Sequence, residues 1–169
     1  MESRAKLFGH AIHPILIVFP LGLLATGVIF DVIYLIWGNP TFASVAYWMF
    51  SAGLIGGLVA APFGTIDWLA IPSGTRAKTI GAMHGLSNFV ALLFFFGSWW
   101  MRYDIPERPE TMASVLSFLG FAMAGLGGWL GGELVERLGV GVDDGANLNA
   151  PNSLTNHSTQ PAGAQTKNV

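Results

Sequence analysis

The stretch "GHAIHPILIVFP", Gly9 to Pro20, places two imidazoles, His10 and His13, at the mouth of an apolar run. A second run opens with "AMHGLSNFV", which carries His84 and Asn88. Asp67 closes "GTID", and Glu133 and Glu136 sit in "GGELVER". Imidazole nitrogen ligates haem iron and transition-metal ions, and carboxylates complete metal sites or pass protons. The chain has no cysteine, which excludes disulfides, thiolate metal sites and covalent c-type haem attachment. Histidine, carboxylate and methionine are the ligand types that remain. No phosphate-binding glycine loop and no nucleophile motif accompanies them, which argues against nucleotide or hydrolase chemistry.

Composition sets the medium in which these groups work. Of 169 residues, 52% are hydrophobic and 11% charged, and the mean hydropathy is +0.54. That is the balance of a membrane protein. A formal net charge of −2 provides no basic surface, so nucleic acid is not an expected partner. A spanning helix needs roughly 20 apolar residues, and four segments provide them. Helices are expected at about 10–37, 45–69, 78–101 and 111–138, separated by Gly38-Asn39-Pro40, Pro72–Arg76 and Tyr103–Pro109. Short connections predict an all-α, up-down-up-down four-helix bundle embedded in the lipid bilayer. Residues 1–142 would form this transmembrane domain. Residues 143–169, rich in Asn, Ser, Thr, Pro and Gly and including His157, would form a disordered polar tail.

Arg4, Lys6, Arg76, Lys78 and Arg137 flank one side of the expected bundle, and Arg102 and Arg108 the other. The positive-inside rule then puts both termini in the cytoplasm. Trp37, Tyr47, Trp48, Trp99, Trp100 and Tyr103 gather at the opposite end as an interfacial belt.

Within that topology His10, His13, Asp67, His84, Asn88 and Glu133 all fall toward one end, so each helix contributes to one polar layer. On the first helix His10, His13, Ile17, Pro20, Leu24, Gly27 and Asp31 form one stripe, which should face the bundle interior because it contains a carboxylate. Gly53, Gly57, Ala60 and Gly64 on the second helix and Gly120, Ala124, Gly127, Gly128, Gly131 and Gly132 on the fourth are small-residue stripes. They mark close helix approach, room for a flat cofactor, or a face for homo-oligomerisation. Asp31 lies about 27 Å from His13 along the helix axis and belongs to the other end. Its expected partners are Tyr34, Tyr47 or an indole N–H, with a station for protons or cations as the functional alternative.

The opening "GHAIHPILIVFPLGLLATGVIFD", with "GTIDWLAIP", "AMHGLSNFVALLFFFGSWW" and "GGELVERLGVGV", resembles a bacterial family of predicted membrane proteins grouped as a domain of unknown function. The likeness covers about residues 7 to 142. It implies a four-span inner-membrane protein. Members in which this domain is joined to Rieske or cytochrome c modules imply redox chemistry by association.

Three functions are open on these residues. The first is an electron-transfer protein binding haem b, with His13 and His84 as axial ligands, His10 spare or paired with a propionate, and Asn88 supporting them, served by a redox partner protein or a quinone. The second is a transition-metal site made from His10, His13, His84, Asp67 and Glu133. The third is a non-catalytic scaffold or accessory subunit whose polar layer ties the helix ends together.

Overall fold

The computed structural model describes residues 1–154. The remainder of the expected tail, with His157, lies outside the described residues. Five α-helices form four spans: α1 (Ile12–Leu16) continuing into α2 (Val18–Trp37), α3 (Pro40–Ala70), α4 (Arg76–Trp100), and α5 (Thr111–Gly132), which ends in a π-helical turn, Glu133–Arg137. All four spans are long and apolar enough to cross a membrane. The break between α1 and α2 falls at Ile17, three residues before Pro20, whose ring cannot supply the amide that the Leu16 carbonyl would accept.

The N-terminus departs from expectation. His10 does not begin the first helix. It sits in β2 (His10–Ala11), paired antiparallel with β1 (Lys6–Leu7) so that Leu7 faces His10 and Lys6 faces Ala11. Phe8 and Gly9, at φ 49 and 81, make the tight reversal between the strands, and a left-handed glycine at such a turn costs little. Pro14 then falls in the first turn of α1, where its missing N–H is tolerated.

The second span starts five residues earlier than its hydropathy suggests. Asn39 caps it by accepting from the Thr41 amide at 3.0 Å, and Pro40 occupies the first turn. Those residues read as a break because a good helix start and a loop share the same residue types. Gly38, at φ 67, ends α2, so the two spans are joined almost directly. Thr75 caps α4 in the same manner through the Lys78 amide at 3.1 Å.

Consecutive spans pack as hairpins, α2 with α3 and α4 with α5, and thinner interfaces, α3 with α4 and α2 with α5, close the bundle. The interior is Leu24, Val28, Ala46, Phe50, Leu54 and Phe95, with Phe30, Leu92 and Trp99 against it. Glycines set the spacing. A Cβ at Gly27 would lie 2.5 Å from Phe50, at Gly53 2.7 Å from Leu24, and at Gly120 2.9 Å from Phe95. The outer surface is large and apolar: Phe19, Ile36, Ile55, Leu58, Phe89 and Trp129 are all exposed, as lipid contact requires. Tyr47 stacks on Trp99 at 5.9 Å, and Trp99 and Trp100 both meet Tyr103, gathering the aromatic side chains at one end.

Candidate functional site

His13 on α1 and His84 on α4 meet across the bundle, with ring centroids 6.3 Å apart and planes at 85°. Each ring is held from its own hairpin. His13 Nδ1 lies 3.1 Å from the Ala60 carbonyl on α3, and His84 Nδ1 lies 2.8 Å from the Gly127 carbonyl on α5. A carbonyl only accepts, so each Nδ1 donates, and in the neutral ring Nε2 is then the nitrogen with the lone pair. Two imidazoles in this tautomer are poised to act as ligands or acceptors.

Glycines let the rings approach the helix backbones this closely. A Cβ at Gly64 would stand 2.8 Å from His13 Cε1, and one at Gly131 3.1 Å from His84 Cε1. The space beside Gly127 is filled by the Asn88 amide, which donates to the His84 carbonyl at 2.9 Å and lies 3.4 Å from the His84 ring nitrogens. Asn88 is therefore part of this pair's surroundings. The glycine stripes seat side chains of the opposing helices, and at Gly57 the neighbour is Leu92.

The other residues of the expected layer are at the same end but bonded elsewhere. His10, exposed on the hairpin, is 3.2 Å from Ser153 Oγ. Asp67 holds the N-terminal segment: it accepts from the Arg4 amide at 2.7 Å and the Ala5 amide at 3.2 Å, and the Ser3 hydroxyl lies 2.8 Å from both its oxygens. Glu133 pairs with Arg76 at 2.6 Å. Among the described residues no group of three or more His, Asp or Glu side chains converges as a metal site would. The six-residue layer resolves into one histidine pair, with Asn88 beside it, and separate ties at His10, Asp67 and Glu133.

At the opposite end the structure assembles a group that the sequence reading missed. Arg102, just beyond α4, makes a two-pronged ion pair with Asp31 on α2 at 2.5 and 2.7 Å, and both side chains are completely buried. Ser117 on α5 donates to Asp31 at 2.6 Å, and the guanidinium lies over the Phe50 ring at 5.0 Å. Asp31 thus finds an arginine and a serine instead of the expected tyrosine or indole. Arg102 was hidden by its place at the edge of a charged connection, where it counted only as a cation flanking the bundle. The signal that finds it is spacing: it follows His84 by the same eighteen residues by which Asp31 follows His13.

The family model of a predicted membrane protein, DUF2231, matches residues 9–144. No curated protein and no solved structure matches the chain.

Proposed function

The chain belongs to the DUF2231 family of predicted membrane proteins, and we propose that it is a small electron-transfer protein of the bacterial inner membrane that binds haem b between His13 and His84. The observation that carries this reading is the facing pair with both Nδ1 atoms donating to backbone carbonyls. The ring centroids are 6.3 Å apart, so His13 and His84 would be the residues that hold the group. The carbonyl bonds fix tautomer and ring orientation, the task that outer partners perform for metal-binding histidines. Bound haem would supply a one-electron couple, and its axial ligands and their hydrogen bonds would tune the potential. The separation of His10, Asp67 and Glu133 from the pair favours this two-imidazole site over the five-ligand transition-metal site.

Arg4, Lys6, Arg76, Lys78 and Arg137 support, by the positive-inside rule, a cytoplasmic histidine end with both termini on that side, from which a redox partner protein or quinone would meet the site. A reporter fused after Val142 should then read cytoplasmic and one within residues 103–109 periplasmic. Homo-oligomerisation would use glycines with open space beside them, Gly125, Gly128 and Gly132 on α5.

A scaffold role is the second reading. It is favoured by the partners of Asp67 and Glu133, which link the N-terminal segment to α3 and the start of α4 to the turn that ends α5.

The test is a visible spectrum with elemental analysis of detergent-purified protein. A Soret band with sharp reduced α and β bands, lost in both His13→Ala and His84→Ala and kept in His10→Ala, is the expected result. Stoichiometric metal without a chromophore would establish an ion site instead. Neither signal in the wild type would leave the scaffold reading.

A further inference from the structure

The two hairpins repeat one another contact by contact. His13 and His84 place Nδ1 on the carbonyls of Ala60 and Gly127 and Cε1 over Gly64 and Gly131, four residues further along. Nearer the middle, Leu24 fills the space beside Gly53 and Phe95 that beside Gly120. At the far end stand Asp31 and Arg102. Each of these first-span residues is matched seventy-one positions later, and each of these second-span residues sixty-seven positions later. Constant offsets at successive levels mean that the second hairpin reproduces the first by rotation about an axis along the bundle, the arrangement of a parallel internal repeat. Equivalent residues meet across that axis at both ends, His13 with His84 and Asp31 with Arg102. The flanking contacts obey the same relation: Ser117 serves Asp31, and its counterpart Phe50 lies under Arg102.

A hairpin whose inner face fits its own kind can also pair with the corresponding hairpin of another copy, as exchanged elements do in swapped dimers. The axis then brings position 31 against position 31, or 102 against 102. Either puts two like charges together in a site where both side chains are fully buried. First-with-second pairing alone gives an ion pair. We propose that Asp31 and Arg102 decide which hairpins pair, so that a hairpin of this chain rejects its counterpart in a second copy and closes on its own neighbour. Specificity of this type comes from the repulsion in the wrong complex as much as from attraction in the right one. The short connection at residues 71–75 favours closure within one chain. None of this depends on a haem at the histidine pair.

Four preparations of the full-length chain test it, each read by size exclusion with light scattering. Asp31→Arg alone and Arg102→Asp alone put like charges on the axis and should each lose monodisperse protein by more than about tenfold. Carried together in one chain, the two changes restore the pair in reverse and should recover a monomer. Expressed as two separate chains in one cell, with tags of different length, they should recover a one-to-one heterodimer, because a hairpin of one copy then meets an opposite charge only in the other. Wild-type yield from either single variant, failure of the reversed pair to recover a monomer, or failure of the two chains to associate would each overturn the proposal.

Discussion

The two ends of the diagonal between the first and third spans are built on the same backbone pattern and end in opposite states. At one end His13 and His84 are half-buried, and each spends one nitrogen on a carbonyl of its own hairpin. At the other, Asp31 and Arg102 spend their charge on each other across the two hairpins and are fully enclosed, with Ser117 completing the carboxylate. One end commits its rings only through single hydrogen bonds to carbonyls, with the Asn88 amide 3.4 Å from the His84 nitrogens. The other has nearly exhausted its hydrogen-bonding capacity, with Arg102 Nε as its one buried side-chain atom lacking a partner among the described residues. A site that is to take a ligand must hold its groups in place without saturating them, whereas a site that joins two hairpins does best when it saturates them.

This contrast breaks most sharply at the ion pair. Arg102→Ala leaves Asp31 enclosed without its counter-charge and should cost about 3–5 kcal/mol, read as a fall in thermal unfolding midpoint in detergent. His84→Ala, which removes one end's half-buried ring and a bond to a carbonyl, should cost about 1 kcal/mol in the same assay. Equal losses would mean that the histidine end is as structural as the other.

Ser117→Ala removes a hydrogen bond to a charged acceptor and should cost about 1.5–3 kcal/mol. Asp31 and Arg102 should stay paired in that variant, so a crystal or cryo-EM structure would still show both ion-pair contacts.

Gly64→Ala sharpens the other side. Its Cβ would stand 2.8 Å from His13 Cε1, so the ring must shift, at about 1–3 kcal/mol for the overpacking. Gly131→Ala, at 3.1 Å from His84, should cost less. Under the haem reading both also change the reduced spectrum, and the Gly64 variant changes it more.

The smallest effect is expected at His10→Ala. The His10 side chain is exposed and hydrogen-bonded only to Ser153 among the described residues, so stability should move by no more than about 0.5 kcal/mol. A larger loss, measured by the same unfolding, would tie the hairpin to the site.

Much of this architecture was legible in the chain. Four apolar stretches of spanning length, short turn-rich connections and a stripe joining His13 to Asp31 follow from local rules, because the bilayer sets helix length and 3.6 residues per turn decides which residues share a face. The gathering of His13, His84 and Asn88 at one end was legible for the same reason. His10 was misplaced because apolar residues run on into a strand as readily as into a helix, and the reversal at Phe8-Gly9 depends on left-handed backbone angles. What tertiary structure alone decided was who meets whom. Asp67 and Glu133 could have joined the histidines and instead hold the N-terminal segment and Arg76, and Asp31 passed over nearby aromatic side chains for Arg102. Periodicity gives the face of a helix, but partners are set by the rotation and depth of each helix against its neighbours, which depend on packing between residues far apart in sequence, such as Leu24 against Gly53 and Phe95 against Gly120.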